Sequence, residues 1–526
     1  MPQEQKKPTF LGGAAVLAAG IVIVKIIGAI YKIPIVNVLG DGFADFNNAY
    51  YIYALLLTVS TAGLPVALSR MIAAANARGQ RGEVQKIFRV SLGVFLLLGI
   101  LSFIVMFFFA GTLANLLSDP LAEKSIRVLS PAVICVGCLS SFRGYAQGHG
   151  NMTPTAVSQI LEATVKLVVG LGLAILLIRL GKSDDVAAAG AIAGVTLGTV
   201  VSLVYMVLNY LRHRDPPAPT GAVSSRSAIL KELLLIAVPV TLTSSAFSVI
   251  NLIDTSLVQG RLQDALHMSL QESRSLFSAY SGVTTLYNLP ASLIVAVTAS
   301  LIPAISAALA RNDESSAGAT VGTAFRVTAL LVFPMGAGLS VLAKPIVRLL
   351  FPRLDADVSG PLLSMLGIAS VFVCIMTVSN SVLQAYGRER LPVYVMIVGG
   401  LIKIFVNYNL VAVPALNIKG APIGTLCCFG FAMLTDLYLI RRIVPDPPRY
   451  RSLFTGAAVA TLFMALTAFG GYRLASRFCG DAAATVLAIA LAVAVYAVLV
   501  LALKLIAKED LLLLPKGEKL VRLLRL

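Results

Sequence analysis

The chain has 526 residues, of which 58% are apolar and only 13% charged, with a mean hydropathy of +0.88. A soluble protein of this length needs a charged surface that such a composition cannot supply, which excludes soluble enzymes and soluble binding modules. The net charge of +17 is spread over polar loops without a clustered patch or an aromatic stacking platform, so no nucleic-acid partner is expected.

Apolar runs of about 20 residues, the length that crosses ~30 Å of hydrocarbon, recur from end to end. They predict an all-α integral membrane protein with fourteen spans, near 11–31, 46–70, 88–113, 126–143, 155–179, 186–210, 231–258, 277–304, 322–342, 361–386, 391–412, 418–440, 453–472 and 482–506. The first run follows Lys6 and Lys7, has no clear small-x-small cleavage site and contains Lys25, so it reads as a retained helix rather than a signal peptide. With the N-terminus placed in the cytoplasm, 24 Lys and Arg fall in inner loops and termini and 13 in outer ones, which puts both termini inside.

The polar, proline-rich stretch 212–226 is the natural seam. The expected plan is an N-lobe of six helices over 1–211, a cytoplasmic linker over 212–230, and a C-lobe of six helices over 231–443. Two further helices follow over 444–506, then a basic amphipathic tail over 507–526, too short to span and placed on the inner membrane surface.

Two internal echoes support this division. FRGYAQGHGNMTPTAVSQILEATVK (142–166) and QAYGRERLPVYVMIVGGLIK (384–403) each run from a glutamine through a glycine-containing turn and a proline to a lysine in apolar sequence. The Gln147–Lys166 and Gln384–Lys403 intervals are equal. LPVALSRMIAAANARG (64–79) and VTASLIPAISAALARN (297–312) both finish in an Ala-Arg step. Internal repeats are the usual build of secondary transporters. Gly190, Gly194 and Gly198 make a small-residue stripe on span 6, read as close helix packing.

Charges inside a membrane cost several kcal/mol unless paired or hydrated, so they are the candidate functional groups. By helical rise, Lys25, Lys166 and Lys403 all fall near mid-membrane. Three ammonium groups facing one cavity would bind an anion such as a pyrophosphate or a carboxylate. Arg70, near the cytoplasmic end of span 2, either joins them or snorkels. Glu162 and Lys166, four apart, could neutralise each other on one helix face, and Glu162 is also a candidate for coupling or gating. Asn251 and Asp254 on span 7 are further gate or ion candidates. Asp436, about a turn before Arg441 and Arg442, reads as a local ion pair.

Enzyme signals are weak. Gly181-Lys182-Ser183 lacks the phosphate-cradling glycine of a P-loop, and no HExxH or GxSxG occurs. Cys135-x-x-Cys138 has no second pair, so no metal site is expected.

The 142–162 stretch, with Arg143, Gly144, Gln147, Gly148 and Pro154, resembles the signature of the stage V sporulation protein B-like branch of the polysaccharide flippases. GAIYKIPIVNVLGDG in span 1 and LYNLPASLIVAVTASLIPAISAA in span 8 look like the same branch. That family belongs to the multidrug/oligosaccharidyl-lipid/polysaccharide (MOP) exporter superfamily. The resemblance implies a V of two six-helix lobes, as in multidrug and toxin extrusion transporters, with two added helices as in lipid II flippases.

It also implies a flippase moving an undecaprenyl-pyrophosphate-linked oligosaccharide or peptidoglycan precursor across the bacterial cytoplasmic membrane by alternating access. Lys25-Ile-Ile-Gly28 occupies the place of a basic residue of lipid II flippases. Thr284 and Thr285 stand where those proteins often carry Asp-Arg, so the broader class of lipid-linked sugars is the implied substrate. No enzymatic activity and no cofactor are expected. The drive is Na+, H+ or the membrane potential, and the expected state is a monomer among membrane lipids. A cation-coupled multidrug exporter of the same fold is the alternative. A membrane glycosyltransferase is disfavoured because the longest outer loop, near 260–276, is short.

Overall fold

A computed structural model describes residues 10–61, 63–213, 224–445 and 447–505, and all the regular structure among them is helical. Lys6, Lys7, residues 214–223 of the expected linker and the tail 507–526 lie outside the described residues.

Ten helices precede residue 265: α1 Phe10–Leu39, α2 Phe43–Thr61, α3 Leu64–Ala77, α4 Arg81–Phe108, α5 Ala110–Leu116, α6 Glu123–Gly148, α7 Thr153–Val165, α8 Leu171–Arg179, α9 Asp184–His213 and α10 Arg226–Asp264. Eight follow: α11 Leu270–Ala310, α12 Glu314–Val341, α13 Ala343–Leu350, α14 Ala356–Ala385, α15 Arg390–Leu410, α16 Gly420–Ile443, α17 Tyr450–Ala475 and α18 Asp481–Ala502. Eleven stretches among the described residues are long and apolar enough to cross a membrane. Each of the fourteen expected spans has its described residues mainly on helix, but the first of the eleven stretches, Ile23–Thr58, takes in α1 and α2 together, and α10 and α11 stand outside the eleven.

The predicted second span is not continuous. Helix α2 ends at Thr61, and α3 begins at Leu64 with Pro65 in its first turn, where the missing N–H does no harm. Gly63 at the break is pressed against α10. Its N–H donates to Thr241 Oγ1 at 3.2 Å, and a Cβ there would lie 2.0 Å from Ala237 O. The predicted fifth span is α7 and α8 joined by a wide π-helical turn, Lys166–Gly170.

The chain divides into two compact units, Met1–Gly260 and Arg261–Leu526. In the first, α6 is central and packs on α2, α3, α4 and α9, while α1 lies on α7. Its core joins Leu68 and Ile72 of α3, Phe88 and Phe95 of α4, Phe142 of α6 and Leu233 of α10. In the second, α14 is central, packed on α11, α12, α13 and α16; α15 lies on α16, and α17 on α12 and α18.

The two sequence echoes have matching local geometry. After Gln147, Gly150 takes φ +75°, its N–H bonds Gln147 O, and Asn151 N–H bonds Ala146 O. After Gln384, Gly387 takes φ +71°, its N–H bonds Gln384 O, and Arg388 N–H bonds Leu383 O. Both are helix C-caps in which a left-handed residue lets two N–H groups turn back onto otherwise unpaired carbonyls. Gly79 and Asn312, after the Ala-Arg steps, repeat the same pattern. Asparagine tolerates that region because its short polar side chain bonds locally.

Candidate functional site

The signature residues build the joint between α6 and α7. Gly144 and Gly148, four apart, form a notch on α6 that admits α3; a Cβ on Gly148 would sit 2.7 Å from Ile72 Cβ. Gln147 Nε2 lies 3.5 Å from Thr155 Oγ1, and Asn151 Oδ1 accepts from Thr153 N–H at 3.2 Å, closing the turn. Pro154 is buried in the first turn of α7.

This fold-back brings Arg143 onto α7. Its Nε donates to Ser158 Oγ at 2.9 Å and its Nη2 to Glu162 Oε2 at 3.0 Å. The side chains of the pair are 16% and 27% exposed. Glu162 therefore forms its ion pair with Arg143, not with Lys166, contrary to the local pairing that the four-residue spacing allowed. Lys166 goes elsewhere: its Nζ lies 4.9 Å from the ring centre of Tyr31 on α1 and 4.9 Å from that of Tyr50 on α2. Such contacts contribute about 0.5–2 kcal/mol each, and the carboxylate within electrostatic reach of Lys166, Glu162, is shared with Arg143.

The rings are themselves aligned. Phe43, Phe46, Tyr50 and Tyr53 follow one face of α2 with successive centres 5.8, 6.2 and 5.7 Å apart, and Tyr31 stands 6.1 Å from Phe46. Lys32 on α1 is partly buried and within electrostatic reach of both Lys166 and Lys25. Lys25 is exposed on the surface of the first unit. Three lysines thus influence one region whose sole described carboxylate partner, Glu162, is engaged by Arg143.

Sequence reasoning missed Lys32 and the aromatic column. Both had a signal. Lys25 and Lys32 are seven residues apart, two turns on one face, and positions 43, 46, 50 and 53 keep helical spacing.

The glycine stripe on α9 holds this region together. A Cβ on Gly194 would fall 2.3 Å from Gly170 Cα, and one on Gly198 would fall 2.7 Å from Glu162 O. Close packing is thus the stripe's role, and the wide turn begins at the candidate lysine itself. Wide turns of this kind occur frequently at functional sites.

The other predicted residues lie apart. Arg70 is exposed on α3. Asn251 is partly buried on α10, and Asp254 is 5% exposed there. One turn beyond, Gln259 Oε1 accepts from Asn48 Nδ2 at 3.1 Å, which also donates to Asp119 Oδ2 at 2.7 Å. Lys403 is 8% exposed on α15 of the second unit, at the position of Lys166 in the repeat. The expected pairing of Asp436 with Arg441 or Arg442 is absent. Neither carboxylate oxygen has a hydrogen-bond partner among the described residues, and Arg442 Nε donates to Tyr438 Oη at 3.2 Å.

A family profile described as polysaccharide biosynthesis protein matches residues 10–309, more than half of the chain. The chain belongs to the polysaccharide biosynthesis protein family. The MatE profile matches residues 239–409. Over 453 residues the chain is 26% identical to the lipid II flippase MurJ of Bacillus subtilis (strain 168), covering 82% of each. Over 522 residues it is 24% identical to the stage V sporulation protein B of the same organism, covering 98% of this chain and 99% of that one. A solved lipid II flippase MurJ in an inward closed conformation, 14% identical, superposes with a TM-score of 0.71 over 92% of this chain and 98% of that chain. The fold is that of the MOP superfamily, and the family member described here is a multi-pass membrane protein.

Proposed function

We propose that this family member is a flippase that carries an undecaprenyl-pyrophosphate-linked oligosaccharide or peptidoglycan precursor from the inner to the outer leaflet of the bacterial cytoplasmic membrane. The observation that carries this reading is Lys166, whose ammonium lies against the rings of Tyr31 and Tyr50, with Lys32 in electrostatic reach of both Lys166 and Lys25 and with Glu162 ion-paired to Arg143. Ammonium groups on apolar helices that outnumber the carboxylate near them favour an anion, and a pyrophosphate on a lipid chain is an anion that enters from the membrane. The full-length similarity to a lipid II flippase and to stage V sporulation protein B supports the same class.

Arg70 and Lys403 are included in the proposal as further phosphate-binding cations, with Asn251 and Asp254 as gating groups. The six-helix lobes of 1–211 and 231–443, the additional helices over 444–506 and an ion or potential drive belong to it too. A cationic drug is a poorer cargo, because a cationic site repels it.

The test is rescue of a bacterium depleted of its own lipid II flippase, with membrane expression confirmed. The wild type restores growth and Lys25→Ala and Lys166→Ala do not. Growth restored equally by both variants would remove the cation site from the mechanism.

A further inference from the structure

Asp436 lies outside the site described above. It is 1% exposed on α16, in a stripe of buried residues at four-residue steps, Cys428, Ala432, Asp436 and Ile440, on a helix that packs against α14 and α15. Ala432 clusters with Met376 and Val395, and Ile440 with Val378 and Val382. Asp436 lies between Ala432 and Ile440 on that buried stripe, and its side chain is closed off from solvent. Ser379, a buried hydroxyl on α14, donates to Ile375 O.

Charged and titratable groups on the surrounding elements are directed elsewhere. Arg390 and Tyr394 of α15 and Arg441 and Arg442 of α16 are exposed. Lys403 of α15 is level with Gly424, three turns away along α16. Cys374 is one turn above Val378 on α14, and Tyr386 is two turns below it. The Tyr450 hydroxyl donates to Leu437 O. None bonds either oxygen of Asp436.

An ionised carboxylate enclosed in this way is unfavourable by several kcal/mol, while an aliphatic residue of similar volume would pack there without penalty. A buried intramembrane acid with no hydrogen-bond partner among the described residues is a candidate functional group. We propose that Asp436 is a proton-binding site: it holds its proton while α14, α15 and α16 are packed as here, and when they part it ionises to the carboxylate and releases the proton to water. The second unit thereby gains a step in which helix packing and proton binding are linked, whatever cargo the protein carries.

Three measurements on the full chain in lipid nanodiscs test this without any flipping assay, so its failure is separable from failure of the proposed function. Difference infrared spectroscopy at neutral pH shows the carbonyl stretch of a protonated carboxylic acid in the wild type and its loss in Asp436→Asn. Identical spectra would overturn the assignment. Asp436→Leu melts at or above the wild-type temperature; a markedly lower melting temperature would mean that the charge is paired and overturn it too. Site-resolved maleimide labelling of the buried Cys428 rises with pH more steeply in the wild type than in Asp436→Asn. Equal pH dependence in both would sever the link to packing.

Discussion

At the scale of single residues, the decisive event is the choice of partners around Glu162. Arg143 and Glu162 are partly exposed, so breaking their contact is expected to cost about 1–3 kcal/mol, less than for a fully enclosed pair. Arg143→Leu should lower the melting temperature in detergent, and a double-mutant cycle with Glu162→Leu should return a favourable coupling energy. Additive effects would show that the pair is not energetically linked. Lys166→Met should behave oppositely, because it removes a charge from an aromatic cage without leaving a carboxylate unpaired. We expect unchanged or higher thermal stability together with lost rescue of a flippase-depleted strain; lost stability would make Lys166 a structural residue. Lys25 and Lys166 were legible in the sequence because a charge in an apolar run is conspicuous. The Arg143–Glu162 pair was not, since the two residues are 19 positions apart on helices that meet only through the intervening turn. Asp436 was misread for a simpler reason. Arg441 is five positions on, roughly 140° round the helix, and cannot reach the same face.

At the scale of elements, glycine decides where helices touch. Gly194 has no room for a Cβ against Gly170, whereas Gly172, two positions beyond Gly170, has nothing within 4 Å. Gly194→Ala should therefore abolish folded protein or sharply lower its melting temperature, and Gly172→Ala should be near neutral. A benign Gly194→Ala would mean that α9 can slide off α7. Gly150→Ala and Gly387→Ala should each cost about 1 kcal/mol through the left-handed backbone, by the same mechanism in each unit. Helix existence was legible throughout, because hydropathy alone marks a membrane span. The break at Gly63 and the wide turn at Lys166–Gly170 were not. Both arise from contacts with another helix, α10 in one case and α9 in the other, which a local window cannot contain.

At the scale of the whole molecule, the distribution of lysine and arginine makes a checkable statement about orientation. Reporter fusions after residue 505 should give a fluorescent cytoplasmic reporter and an inactive periplasmic phosphatase; the reverse result would invert every loop assignment. The repeated C-caps also carry information about length. Arg78 and Arg311 are 233 positions apart, whereas Gln147 and Gln384 are 237 apart. The surplus of four has a visible address: α14 has 30 residues where α6 has 26. Had one ancestral half-length gene been copied in tandem, a single later insertion would account for both spacings. Four residues is also nearly a whole turn, the smallest addition that lengthens a helix while keeping its buried side pointed the same way.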